Sequence, residues 1–378
     1  MSMYSFGNDL YTGRKSFDFV GKRKIWFSIA IVAIIASVCL VIFKGLNLGI
    51  EFTGGSQFTI SSTQTTDQSL ASDIMSKDLG DSAARVTQVG SSTIRVQTSA
   101  QGISNEDTEK VRQALADAYD VDVAKVTSTF IGPSWGADIF SKAIRGFIVF
   151  LVLVAVGLSL YFRSWRNAAG AILALFHDLI VTVGIYCLFG FEVTPSTVIG
   201  LLTILGYSLY DTIVVFDKVR ENTTKLLAQR SYTFAESTNL AVNQTLIRSI
   251  NTSVTSILPV ASILFIGVLV LGAGTLRDLA LVMFVGLLLS TMSSLFIATP
   301  LAVQLAELDP ALKKHTALVL ELRAQRKAAR EARIAAGETD LGADDEADNL
   351  EAAHGVIREV GHHQGIAAQP KRKNRRKR

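Results

Sequence analysis

Six stretches of nearly continuous apolar sequence punctuate the chain, at residues 25–43, 146–162, 168–191, 197–216, 253–271 and 279–300. Each reaches or approaches the roughly 20 residues that an α-helix needs to cross a bilayer. Between the first and second, the pattern changes to short alternating runs and helical periods separated by polar turns. Residues 56–61 are rich in β-formers. Thr65-Thr66-Asp67-Gln68 has the form of a capping box and opens a helix to about Leu79. Residues 85–89 and 93–98 alternate as strands joined through Gly90-Ser91-Ser92. Ser104-Asn105-Glu106-Asp107 caps a second helix, with Val111, Leu115, Ala118 and Tyr119 at helical spacing, and residues 126–131 close as a strand. The order β-α-β-β-α-β predicts a ferredoxin-like split βαβ unit. The expected fold is an α-helical membrane protein of six transmembrane helices, with this small α+β domain between helices 1 and 2.

Composition agrees with that pattern. Of 378 residues, 49% are hydrophobic and only 19% charged, and the charges cluster. Lysine and arginine placement gives the orientation. Arg14, Lys15, Lys22, Arg23 and Lys24 precede the first span. Arg163 and Arg166 fill the connection between the second and third, and Lys218, Arg220, Lys225, Arg230 and Arg248 lie between the fourth and fifth. The intervening outer segments are poor in basic residues, so both termini are expected in the cytosol. The organisation predicted is a cytosolic start (1–24), helix 1 (25–43), an extracytoplasmic domain (44–140), a five-helix remainder (141–300) and a charged, mostly disordered cytosolic tail (301–378). Within the tail, residues 311–336 suit a solvated helix, 338–351 are acidic, and 371–378 read KRKNRRKR. That last block suits a solvated tail, or contact with anionic lipid or ribosomal RNA. Trp26, Trp135 and Trp165 fall near the expected membrane boundaries. Cys39 and Cys187 both lie in apolar runs and imply neither a disulfide framework nor a zinc site. The first apolar run has spanning length and no small-residue cleavage site, so it is expected to stay as a span.

No metal-binding, Walker or nucleophile-elbow pattern is present, and neither a cofactor nor an enzymatic reaction is expected. The candidate chemistry lies in ionisable groups within the spans, which are costly in hydrocarbon and commonly mark proton or ion pathways. Asp211 sits in the fourth span. Arg248 opens the fifth, followed along one helical face by Thr252, Thr255 and Pro259, with Asn251 and Ser256 widening the stripe. A stripe of this kind is expected to face the bundle interior or water. Asp211 and Arg248 make either a static buried pair or a proton-loading pair, since burial raises a carboxyl pKa and a guanidinium lowers it. His177-Asp178 is either a second relay element or the cytosolic start of the third helix. Asp217, beside Lys218 and Arg220, is expected to be an interfacial charge. In the sixth span Gly286, Ser290 and Ser293-Ser294 suit close helix packing.

Several separated motifs together resemble the SecF family, the smaller partner of SecD in the accessory complex of the bacterial Sec export machinery. They are Phe19-Val20-Gly21-Lys22-Arg23, the run from Gly45 through Glu51 to Gly54-Gly55, Ile131-Gly132-Pro133, His177-Asp178, GYSLYDTIVVFD at residues 206–217, and Gln244 to Ser249. The family often has Asp at the position of Glu51 and Asn at that of Tyr210. The resemblance implies a six-helix half of a resistance-nodulation-division type bundle in the bacterial plasma membrane, completed by a SecD-like subunit. It implies as partners the Sec translocation channel and a translocating polypeptide, with protons as the driving ion. By resemblance Asp211 and Arg248 match the residues assigned to proton conduction. A half-unit of a lipid or drug exporter and a non-transporting scaffold are the rival readings.

Overall fold

The computed structural model describes residues 3–81, 84–90, 92–98, 103–162, 164–270 and 276–335. Arg163, residues 271–275 between the fifth and sixth apolar stretches, the acidic run at 338–351 and the basic block at 371–378 lie outside them. The chain forms two compact units.

The larger unit comprises Lys22–Phe216 and Arg248–Ala306. A first short helix, α1 (Met3–Tyr11), belongs to the other unit and precedes it. The membrane-type helices are α2 (Arg23–Phe43), α6 (Pro133–Phe162), α7 (Trp165–Phe189), α8 (Pro195–Thr223), α9 (Phe234–Ser262, continued by a π-helical stretch to Val270) and α10 (Arg277–Ser293). After α10 come a π-helical turn, Ser294–Ala298, and α11 (Thr299–Ala306). Six helices are thus long and apolar enough to span. Several outrun their apolar cores. Expected as the shortest span, α6 is 30 residues long, because its polar first turns keep helical geometry. The N-terminal half of α9 is likewise helical well before the apolar run begins. Pro259 removes a backbone donor near its end, and a π-helical stretch follows.

Side-chain size sets how the helices pack. Bilayer lipid offers no hydrophobic drive for helices to associate, so small residues that admit close backbones dominate the contacts. A Cβ on Gly184 of α7 would lie 2.7 Å from the Ser37 Cα of α2. Gly170 of α7 packs on Ala302 of α11, Gly200 of α8 on Val282 of α10, and Gly286 of α10 on Ile204 of α8. Helices α2 and α6 are exposed on most of their surface, with Val32, Ile42, Leu153 and Leu160 each more than half exposed. Trp135 and Trp165 are exposed, and Trp26 packs on Phe296 with ring centroids 4.4 Å apart.

The insert lies between α2 and α6. It opens with β1 (Asn47–Leu48) and the single turn α3 (Ile50–Thr53). There follow β2 (Gly55–Ser61), α4 (Gln68–Asp78), β3 (Arg85–Gln88), β4 (Thr93–Thr98), α5 (Asn105–Ala118) and β5 (Val126–Ile131). Gly54 and Gly55 both have positive φ, 76° and 132°, which ends α3 and turns the chain into β2. The four-stranded sheet has the order β3-β4-β2-β5, antiparallel throughout. Alternation along β2 and β4 sends Phe58, Ile60, Ile94 and Val96 into a core with Met75 of α4 and Val111 and Leu115 of α5. The same alternation sends Gln57, Arg95 and Gln97 to the other sheet face. Asp67, not Thr65, caps α4 by accepting from the Ser69 amide at 2.9 Å, and Ser104 caps α5. Outside the sheet, β1 pairs in parallel with β6 (Glu192–Val193), the short strand between α7 and α8.

The smaller unit contains α1, residues 217–247 and α12 (Pro310–Ala335). Asn239 and Asn243 of α9 accept from the Phe19 and Phe17 amides at 2.9 and 2.8 Å, fixing the segment before α2. The described part of the tail is not freely solvated. Arg323 of α12 donates to both carboxylate oxygens of Glu236, at 2.6 and 2.8 Å, and His315 bonds the Gln229 carbonyl.

Gly184→Val should overpack the α2–α7 contact and cost about 1–3 kcal/mol, read as a lower Tm of the detergent-solubilised protein. Gly157→Ala, with nothing within 4 Å of its Cβ position, should leave Tm unchanged.

Candidate functional site

A polar network runs through the helical core of the larger unit, built from residues that amphipathic spacing turns inward. Midway along α7, Asp178 is 1% exposed and His177 8%. The His177 Nδ1 lies 3.1 Å from Asp178 Oδ1, and Ser208 Oγ of α8 donates to Asp178 Oδ2 at 2.8 Å. Three residues along α8 from Ser208, on the same face, is Asp211. Its Oδ1 accepts from Ser249 Oγ of α9 at 2.7 Å, and its Oδ2 from Ser294 Oγ. One turn away, Thr291 Oγ1 donates to Ser253 Oγ at 2.8 Å and extends the α9–α10 hydroxyl ladder. Ser294 opens the π-helical turn, a distortion that often re-aims side chains at functional sites.

The structure narrows one open reading of the sequence candidates and departs from three other expectations. His177 and Asp178 lie deep within α7 and not at its start, so the helix-start reading is excluded. Asp211 and Arg248 do not pair. Arg248 is exposed, and the carboxylate is satisfied by hydroxyls instead. The stripe of Arg248, Asn251, Thr255 and Pro259 is likewise exposed, with Thr252 half-buried, and Thr255 bonds its own helix at the Asn251 carbonyl. One residue on, about 100° around the helix, Ser249 is fully buried and Ser253 partly so. The stripe therefore turns away from this chain's core. Asp217 is half-buried near the end of α8. Ser294, expected to serve close packing, is an Asp211 partner.

Two carboxyl groups held by neutral hydroxyls have a defined chemistry. A serine hydroxyl donates to a carboxylate and can rotate to accept from the protonated acid. The hydrogen-bond count survives either protonation state. A guanidinium, which only donates and carries a charge, would favour the ionised form. The Asp211 carboxyl can thus be satisfied by Ser249 and Ser294 in either protonation state without a compensating charge.

The fold and this core define a class: a multi-pass membrane protein, six helices with an inserted α+β domain, carrying ionisable groups inside its bundle. Comparison places it further. The profile described as protein export membrane protein SecD/SecF, C-terminal, matches residues 110–308, and the SecD/SecF GG motif matches residues 40–66. The protein translocase subunit SecF of Streptomyces coelicolor is 43% identical over 93% of each chain. That of Mycobacterium tuberculosis (strain CDC 1551) is 42% identical over 85% of this chain and 74% of its own. A crystal structure of SecDF, a translocon-associated membrane protein from Thermus thermophilus, superposes with a TM-score of 0.68 at 30% identity. That match covers 77% of this chain and 39% of the larger one. The chain belongs to the SecF family of protein translocase subunits.

Removing the hydroxyl at Ser294 or Ser249 strands a buried carboxylate oxygen. Ser294→Ala and Ser249→Ala should each cost about 1–3 kcal/mol, whereas Arg248→Ala should stay within about 0.5 kcal/mol. Unfolding of the purified protein in detergent reads all three. An Arg248→Ala loss equal to the serine losses would restore the ion-pair assignment.

Proposed function

We propose that this subunit acts in Sec-dependent protein export across the bacterial plasma membrane, coupling inward proton flow to the late stage of translocation with a SecD-like partner. The observation that carries the reading is the hydroxyl-bonded pair of intramembrane carboxyls, Asp178 and Asp211, joined through one face of α8. In the proposed cycle Asp211 is protonated from a water path open to the outside. Its hold on Ser249 and Ser294 changes, α9 and α10 shift against α8, and the proton leaves inward. His177, Asp178 and Ser208 form the second relay station. Arg248, Thr252 and Thr255 act from the exposed side of α9, toward the partner subunit that completes the bundle. The transmembrane potential supplies about 2.3 kcal/mol per charge per 100 mV, enough to bias an element with a gap of a few kcal/mol.

The insert is read as a ferredoxin-like domain on the outer face. Supporting this are the β-α-β-β-α-β order, the antiparallel β3-β4-β2-β5 sheet and both helices packed on one sheet face. Both termini are placed in the cytosol by the clustering of basic residues at that end of the helices. The relatives' names and the SecDF match support the export role.

The test is Asp211→Asn in membrane vesicles preloaded with a trapped export intermediate. Gradient-driven completion is expected to fall to its level without a gradient, and Asp178→Asn to act in the same direction. Unimpaired completion in both variants would favour a scaffold whose carboxyls only brace the helices.

A further inference from the structure

A second group of charges, remote from the helical core, lies where the insert meets the ends of the helices. It is assembled from four elements. Alternation on β4 sends Arg95 and Gln97 away from the insert's apolar core. The parallel β1–β6 pairing brings the loop between α7 and α8 beneath them, and with it Glu192. Arg95 Nη1 donates to Glu192 Oε2 at 3.2 Å and lies 3.9 Å from Asp278 Oδ2 at the start of α10. Gln97 Nε2 donates to Glu192 Oε1 and to Gln57 Oε1. Glu51 enters from α3. A Cβ built on Gly49 would sit 2.4 Å from Glu51 Oε2 and 2.8 Å from Glu192 Oε1, so the two carboxyl groups converge on a space that only glycine leaves open.

Three carboxyl groups therefore surround one guanidinium. Arg95, Glu192 and Asp278 have side chains 12%, 11% and 15% exposed. Arg277 sits beside Asp278, and Tyr186 of α7 lies within electrostatic reach of both. Arg85 of β3 joins Glu192, Arg277 and Asp278 in lining a cavity of about 300 Å³ between insert and helices, large enough for water. Glu51 Oε2 is buried without a hydrogen-bond partner. Such an orphan is costly for a carboxylate and far less so for the neutral acid. Among the described residues no group of His, Cys, Asp and Glu is arranged to hold a metal ion. The cations in the junction are guanidinium groups, Arg95 among the carboxyl groups with Arg277 and Arg85 at the cavity wall.

We infer that this junction is a protonation-controlled latch seating the insert on the helical bundle, with Glu51 as the group that takes up the proton. Burial pushes the Glu51 carboxyl above its usual range. A bond from its own backbone opposes that, Glu192 and Asp278 push it further up, and Arg95 pulls it down. The seated arrangement thus binds a proton at Glu51 more tightly than a loosened one, in which the carboxyl meets water. By linkage, protonation favours seating. The seating contribution is complete below the solvated Glu pKa and is lost as pH rises through the seated value. Asp211 lies 16 residues along α8 from Pro195, about 24 Å at the rise of an α-helix, and Asp178 lies 11 residues before the end of α7 at Phe189, about 16 Å. The latch is therefore a separate protonation site, and its readout does not depend on proton-coupled export.

The test places spin labels at Glu106 of the insert and Leu188 at the end of α7, in the full chain with Cys39→Ser and Cys187→Ala, reconstituted in nanodiscs. Their distance distribution is followed from about pH 5 to pH 8. A single proton can change the seated-to-loosened ratio by at most about tenfold per pH unit, and a fall within that bound on raising the pH is expected. The buried carboxyl of Asp278 shares the junction, so Glu51→Gln should stay seated with a clearly reduced pH slope. Gly49→Ala, which sets a methyl group against both carboxyl groups, should loosen the insert at every pH. A wild-type distribution unchanged across the range, or a slope undiminished by Glu51→Gln, would overturn the latch.

Discussion

The structure depends on keeping two carboxyl groups inside an apolar helical bundle. Asp178 and Asp211 are both buried, so their oxygens need hydrogen-bond partners within the protein. The partners are four: His177 beside Asp178 on α7, Ser208 on α8, Ser249 on α9 and Ser294 at the π-turn after α10. Hydroxyl bonds are short and directional, and they fix helix rotation more tightly than apolar contact could. Asp178 ties α7 to α8, while Asp211 ties α8 to α9 and to the segment after α10.

That demand explains why so many contacts among the helices are made by glycine, alanine and serine. A serine side chain reaches barely beyond its own Cβ, so a Ser–Asp bond requires backbones close together. The Gly200–Val282 and Ile204–Gly286 contacts bring α8 and α10 to such a distance on the turns before Ser208 and Asp211. Packing and polar chemistry are therefore one design. Enlarging a glycine would lengthen hydrogen bonds that it does not itself make.

Much of this was legible in the amino-acid order. Hydropathy located six helices, because lipid-facing residues must be apolar over a full membrane thickness. Period-two alternation and capping residues located the four sheet strands and the two longer helices of the insert to within a residue or two, but not β1 or α3. Helix length was harder to read, since α6 and α9 continue through polar turns that no apolar run reveals. The partner of Asp211 was misread for a related reason. Opposite charge is the strongest signal in a string of letters, and Arg248 displays it, while Ser249 beside it looks like filler. One residue is about 100° of rotation, and only neighbouring helices decide which of the two faces inward. The Arg95 junction was hidden because its members lie far apart in the chain and meet only through the β1–β6 pairing.

The outward turn of Arg248, Asn251 and Thr255 has a consequence for the life of the chain in a cell. A guanidinium left against lipid costs free energy unless it snorkels to the interface or is covered, and the amide and hydroxyls beside it add to the burden. A newly inserted copy carries that cost until another polar surface covers α9. Unassembled copies would be the less stable population and the first exposed to membrane proteases. The stability of the subunit in the membrane would then rise with the supply of whatever surface covers α9.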